Sequence, residues 1–170
     1  RWVFDLFATD RPGFLDTNPA VAEWTASFLH RASAAELLPA VGGLWQPEAI
    51  IHGDVRFENC LVAGDQPATG LVFVDWEQSG CGDPAWDLAS VLHEYFSVGG
   101  VISLAFQPDH RLARAIEALL EGYSTQWPLD AALLDRLVPF LGVKLLHRAV
   151  QIVSWQQGNS SDADRHGFLG

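Results

Sequence analysis

Apolar positions recur at helical spacing along most of this chain, and only near its middle does the period shorten to that of strands. Between Asn18 and Ala34, Val21, Trp24, Thr25, Phe28 and Leu29 mark one face of a first helix, with Asn18-Pro19 as its start signal. The stretch from Pro39 to Pro47, rich in glycine and proline, reads as a connection. Cys60 to Ala63 and Leu71 to Val74 are short β-rich runs, and Gly64-Asp65-Gln66-Pro67 and Gly70 supply turn chemistry between them, so a hairpin is expected. From Asp87 to about Ser97 the helical period returns in Leu88, Val91, Leu92, Tyr95 and Phe96, and Gly99-Gly100 closes the region. Asp109 to about Trp127 is a further amphipathic helix, with Leu112, Ile116, Leu119, Leu120 and Tyr123 on one face and Pro128 as its stop. Asp130 to Gln157 is helical too, and Pro139 with Gly142 should kink it or divide it in two. Residues 158–170 are polar and glycine-bearing and read as a mobile tail. The expected fold is mainly α with one small β-hairpin (α+β), in a single domain over residues 1–157.

The hairpin brings chemistry to one place. In an antiparallel pair, the residue before the first strand and the residue after the second lie at the same open end. Here those residues are Asn59 and Asp75. An amide oxygen and a carboxylate together suit a hard cation such as Mg²⁺, which takes few protein ligands and completes its shell with water and phosphate oxygens. Asp54 stands five residues before Asn59, the step found in kinase-type catalytic loops between the catalytic Asp and the metal-binding Asn. Asp54 is then placed to orient an acceptor hydroxyl and take its proton. An isolated Asp-x-x-x-x-Asn is common in loops, and Asp before a strand is ordinary turn chemistry. The combination of His52-Gly53-Asp54, Asn59, a hairpin, Asp75 at its exit and a helix start at Asp83-Pro84 narrows the field.

At these residues the chain resembles the aminoglycoside phosphotransferase and choline kinase-like family, which shares the protein-kinase fold and phosphorylates small molecules. The resemblance runs from about Ile50 to Phe96 (residues 50–96) and includes His52-Gly53-Asp54, Asn59, Asp75-Trp76-Glu77 and Gly82-Asp83-Pro84-Ala85-Trp86-Asp87-Leu88-Ala89. It implies that Asp54 is the catalytic base, that Asn59 and Asp75 hold Mg²⁺ and the phosphates of ATP or GTP, and that His52 and Asp87 are architectural, Asp87 bracing the catalytic loop through its backbone. Asp83 with Pro84 fits an N-cap and first helical position. Asp87 one turn on suits the positive helix end whether or not it also braces the loop. Arg56, where many relatives carry His, can reach the transferring phosphoryl group or pair with Glu58 in solvent. Glu77 stands where protein kinases have the glycine of Asp-Phe-Gly, which argues for the small-molecule branch and makes Glu77 a candidate substrate contact. The helices after Gly82-Asp83-Pro84 commonly wall the acceptor pocket in such kinases, so Glu94, Asp109 and Glu117 are either contacts for an amine-bearing acceptor or solvated helix charges.

Composition sharpens this. At 170 residues the chain is long enough for one core, and 49% hydrophobic content with seven tryptophans excludes a disordered polypeptide. A formal charge of −11 opposes binding to a nucleic-acid backbone and is compatible with a cationic acceptor, although acidity also serves solubility. No apolar run reaches the length of a membrane span, and Cys60 and Cys81 have neither metal-ligand spacing nor a disulfide framework, so the expectation is a cytoplasmic protein with reduced thiols. Methionine is absent, and the single lysine, Lys144, lies far beyond the catalytic loop. A kinase fold needs a phosphate-binding lysine and a glycine-rich cover before that loop, and Ala40-Val41-Gly42-Gly43-Leu44 and Ser97-Val98-Gly99-Gly100 fit neither. The expectation is therefore the C-terminal lobe of a kinase-like fold, inactive alone and lacking its N-terminal nucleotide-binding lobe. Its function would be transfer of a γ-phosphate to a hydroxyl of an aminoglycoside- or choline-like acceptor. The alternative is a non-catalytic kinase-like scaffold, which loss of the lysine and cover loop would favour and the Asp54, Asn59 and Asp75 set disfavours. A metal-dependent phosphohydrolase is the weaker third reading, since two-metal sites gather more His and Asp ligands.

Overall fold

A computed structural model describes residues 34–62, 70–98 and 110–166, together with the isolated positions 19, 22, 23 and 27. Apart from those positions, the helix expected over residues 18–34 lies outside the described residues, as do the hairpin turn, Gly99-Gly100 and Asp109. In chain order the elements are α1 (Ala34–Gly43), β1 (Ala49–Ile51), a 3₁₀ turn (Phe57–Asn59), β2 (Cys60–Val62), β3 (Leu71–Phe73), a second 3₁₀ turn (Trp76–Gln78), β4 (Gly80–Gly82), α2 (Pro84–Val98), α3 (His110–Ser124) and α4 (Ala131–His166). The fold class is α+β, mostly helical. It falls into two compact units: residues 45–142, and residues 1–44 with 143–170.

The expected hairpin is present as β2 and β3, antiparallel with Cys60 opposite Phe73, Leu61 opposite Val72 and Val62 opposite Leu71. A second two-stranded sheet was not expected. It pairs β1 with β4, Ile50 opposite Cys81. Gly80-Cys81-Gly82 carries no strand signal, and the glycine at 82 lets β4 lie close against Ile51 and Trp45. A Cβ there would collide with the Ile51 side chain and lie 3.1 Å from the Trp45 ring.

Helix α2 packs against β1 and α3. Asp83 caps it: Oδ1 accepts the Ala85 N–H at 3.0 Å, and Pro84 occupies the first helical position, where no donor is needed. Its buried face is Ala85, Trp86, Leu88, Ala89 and Leu92. Asp130 caps α4 in the same way, accepting the Leu133 N–H at 2.9 Å, and Leu133, Leu137 and Phe140 are buried. Trp45, Trp86 and Phe140 meet as an aromatic trio with ring centroids 5.7–5.8 Å apart, a spacing favourable for edge-to-face contact. On α3, Leu112, Ile116, Leu119, Leu120 and Tyr123 are half-buried on one face, as the spacing requires.

Two helix boundaries differ from the sequence reading. α1 occupies part of the stretch read as a connection and carries Pro39 inside it. Ala34-Ala35-Glu36-Leu37-Leu38 are good helix formers, and the helix continues through a proline that costs it one donor. α4 is likewise one helix through Pro139 and Gly142, and it runs past Gln157 to His166. Leu137 and Phe140 are buried on either side of Pro139. Among the described residues no helix is long and apolar enough to cross a membrane.

A buried arginine ties residues 45–142 together. The Arg136 guanidinium, only 4% exposed, donates to Gln46 Oε1 at 2.7 Å and to Glu48 Oε2 at 3.2 Å. Its Nε lies 2.9 Å from Asp83 Oδ2, close enough for charge pairing although the N–H is not aimed along a hydrogen-bond direction. Asp83 Oδ2 also accepts the Gln46 N–H at 2.9 Å, so one buried carboxylate joins the start of α2, the chain entering β1 and α4.

Candidate functional site

The segment between β1 and the first 3₁₀ turn carries His52, Gly53 and Asp54, and it is fixed almost wholly through its backbone. Asp87, in the first turn of α2, accepts the His52 N–H on Oδ2 at 2.6 Å and the Gly53 N–H on Oδ1 at 3.0 Å. The Trp86 indole N–H donates to the Gly53 carbonyl at 3.3 Å. Gly53 has φ +85°, and a Cβ there would stand 2.6 Å from the Gln78 carbonyl oxygen. Both the left-handed backbone and the close approach exclude a side chain at this position. His52 is 3% exposed, between Trp76 and Phe73. Its Nε2 lies 2.9 Å from the Val74 carbonyl, which can only accept, so the proton sits on Nε2. Nδ1 is then the acceptor for the Asp54 N–H at 3.3 Å. This pins the loop to the end of β3.

Those contacts bring Asp54, Asn59 and Asp75 to the same end of the hairpin. Asn59 is buried, and its Nδ2 donates to the Asp54 carbonyl at 3.0 Å and to Asp54 Oδ2 at 3.3 Å. With the amide nitrogen committed, Oδ1 is the atom left for a ligand. The Val74 N–H donates to the Asn59 carbonyl at 3.0 Å, which continues the β2–β3 pairing and sets Asp75 next in line. Asp75 is exposed, makes no capping hydrogen bond, and has φ 66° and ψ 56°. It is the one non-glycine residue with positive φ among the described residues. Backbone held in that region is a strain that tends to gather at functional sites. Arg56 turns toward Asp54 rather than Glu58, with Nε 3.6 Å from Oδ2 and both side chains partly exposed. Asp54 Oδ2 is thus shared between an amide and a guanidinium, and Oδ1 stays open.

The donor set fits Mg²⁺. Asn59 Oδ1 and the Asp75 carboxylate are hard oxygen donors, few in number. Such donors suit a cation that keeps waters and takes phosphate oxygens as the rest of its shell.

Comparison with known proteins decides the family. The model of the phosphotransferase enzyme family matches residues 6–137, which includes every residue of this site. The chain belongs to that family. Viomycin phosphotransferase of Streptomyces vinaceus is 36% identical over 88 residues, covering 49% of this chain and 30% of that protein. Protein LicA of Haemophilus influenzae is 31% identical over 134 residues, covering 74% of this chain and 41% of LicA. The chain thus spans well under half the length of these curated relatives. No solved structure matches it.

Within this phosphotransferase-family chain, the other candidates fall apart from the central three. Glu77 is exposed on the turn directly after Asp75, and its carboxylate meets no partner among the described residues. Glu94 points to the loop instead of an open pocket: Oε2 accepts the Phe57 N–H at 3.2 Å, and Oε1 lies 3.3 Å from His93 Nδ1. Glu117 is exposed on α3. Behind the loop lies a mainly apolar cavity of about 290 Å³, bounded by His52, Val55, Phe73, Trp76, Leu119 and Tyr123. Burial pushes the Tyr123 phenol above its ordinary value; Asp87 and Asp83 add to this and Arg136 opposes it. Burial likewise raises the Cys60 thiol, with the Glu94 charge adding to the effect. Sequence reasoning missed Arg136, whose one signal was a charge on the apolar face of a helix between Leu133 and Leu137.

Proposed function

We propose that this chain is the C-terminal lobe of a kinase-like enzyme that transfers the γ-phosphate of ATP or GTP to a hydroxyl of a small, cationic acceptor of aminoglycoside or choline type. The observation that carries the reading is the junction of Asp54 with Asn59 and Asp75 at the hairpin end. Asp54 presents Oδ1 to the acceptor hydroxyl, aligns it and accepts its proton, while Asn59 and Arg56 hold Oδ2. Asn59 Oδ1 and Asp75 would hold Mg²⁺, which neutralises phosphate charge when bound. Arg56, half-exposed beside the base, adds positive charge where the phosphoryl group passes. Glu77 offers an unpaired carboxylate to an ammonium group on the acceptor. The gain comes from positioning and charge complementarity, since no covalent intermediate is required.

The hairpin supports a covering lobe. Leu61, Val62, Leu71 and Val72 are each about half exposed or more, on adjacent strands too short to bury them. In the proposed protein an N-terminal lobe, carrying the lysine and cover loop, lies over one face of this hairpin in the longer chain. A kinase of this kind draws on the ATP of the cytoplasm, where free Cys60 and Cys81 stay reduced. Incubating the full-length protein with γ-labelled ATP or GTP, Mg²⁺ and a panel of amine-bearing alcohols tests this. Label transfer that stops when Mg²⁺ is chelated is expected. Nucleotide binding without transfer to any acceptor would favour a scaffold.

A further inference from the structure

Phe57 opens the 3₁₀ turn that ends on Asn59, and the residue before it, Arg56, makes no side-chain cap to that turn. The missing cap comes from another element. Glu94 of α2 accepts the Phe57 N–H at 3.2 Å, across 37 positions of sequence. Asp87 on the same helix holds the His52 and Gly53 N–H groups. The two carboxylates stand seven positions apart, close to two helical turns, and so share one face of α2. Between their anchor points lies Asp54. The Tyr95 ring, next to Glu94, meets the Phe57 ring edge-on at 5.5 Å. The turn also closes on itself, Asn59 N–H to the Arg56 carbonyl at 3.0 Å and Cys60 Sγ to the same oxygen at 3.2 Å. Moving Phe57 therefore moves Asn59. The Glu94 side chain is only 15% exposed.

We propose that Glu94 is a positioning residue: its carboxylate clamps the far end of the catalytic loop as Asp87 clamps the near end, and so keeps the Asn59 oxygen aimed toward the cation. This rests on the metal role given to Asn59 above. It assigns Glu94 to the loop and not to the acceptor. A hydrogen-bond acceptor is what the site requires of residue 94, so an amide should serve and a methyl should not.

The test compares wild type, Glu94→Gln and Glu94→Ala in the full-length protein, using Mn²⁺ as a paramagnetic probe of the Mg²⁺ site. The readouts are Mn²⁺ affinity, amide exchange of the peptide spanning 54–60, and kcat with acceptor KM. For Ala we expect Mn²⁺ binding weakened roughly tenfold, the scale of losing a residue that orients a metal ligand, with faster exchange, a lower kcat and unchanged acceptor KM. Gln should stay within about threefold of wild type on all of these. Equal rises in acceptor KM for Ala and Gln, with Mn²⁺ affinity untouched, would make Glu94 a substrate contact and overturn the proposal. Unchanged Mn²⁺ affinity and exchange in Ala would overturn it as well. If Ala does not fold, a Gln variant with weakened Mn²⁺ binding is the overturning result and one that matches wild type is the supporting result. A wild-type protein that binds Mn²⁺ but transfers no phosphate sinks the phosphotransferase reading, while the Mn²⁺ and exchange arms still judge Glu94.

Discussion

Replacing Asp87 by Asn changes a single atom in shape and tests how the loop is held. The carboxylate accepts two backbone N–H groups, at 2.6 and 3.0 Å, one on each oxygen. Asparagine keeps one acceptor and turns an NH₂ toward the other donor, so one of the His52 and Gly53 N–H groups loses its partner. A hydrogen bond to a charged group contributes about 1.5–3 kcal/mol, and an unsatisfied buried donor costs about 1–3 kcal/mol. Asp87 is half-buried, which favours the lower part of these ranges. A destabilisation of about 2–3 kcal/mol follows for local opening of the loop. That is roughly a 30- to 150-fold rise in exchange of the amides in peptide 50–59, read by mass spectrometry. The control is Glu117→Gln, an exposed charge on α3, which should shift stability by no more than about 0.5 kcal/mol. A rise of less than threefold in the Asp87→Asn variant would show that the bond pair does not hold the loop.

Other consequences follow from single contacts. Gly53→Ala meets both a positive φ and the Gln78 carbonyl, so a loss of at least about 2 kcal/mol in urea unfolding is expected, and an unchanged midpoint would contradict the close approach. Arg136→Met leaves the fully buried Asp83 without its cation and should cost about 3–5 kcal/mol by the same assay; a loss under 1 kcal/mol would mean the pair is dispensable. The Cys60 thiol is held above its ordinary value of 9.0, so its neutral form is favoured and the thiolate gathers only at higher pH. Alkylation of Cys60 by iodoacetamide should therefore be slower than that of exposed Cys81 at pH 8 and still rising above pH 9, and a plateau below pH 9 would refute the shift.

Sequence read best where neighbours in the chain decide the structure. The β2–β3 hairpin, the Asp83-Pro84 cap and the apolar face of α3 each rest on short-range spacing, and the structure has all three. Asn59 and Asp75 could be placed at one hairpin end because pairing geometry alone requires it. The β1–β4 sheet was not legible, since its strands are three residues each and pair over some thirty positions, through glycines that ordinarily mark turns. Arg136 was hidden for the same reason: its partners Gln46 and Glu48 lie 90 and 88 positions away. Proline was over-read. Pro39 was read as the start of a connection, and Pro139 with Gly142 as a kink or a division of the last helix; the structure has helix at Pro39 and one undivided helix through Pro139. Glu94 read as either an acceptor contact or a solvated helix charge, because nothing in its own helix shows that the Phe57 N–H is within reach.

The measurement that bears most directly on the account is phosphoryl transfer by the Asp54→Asn variant of the full-length protein, beside its affinity for Mg²⁺-nucleotide. Asparagine can keep the bond to Asn59 but cannot take a proton from the acceptor. A fall in kcat of roughly 10²- to 10⁴-fold is expected, with nucleotide affinity within about threefold of wild type. Turnover equal to wild type would contradict the central claim that Asp54 is the base of this site.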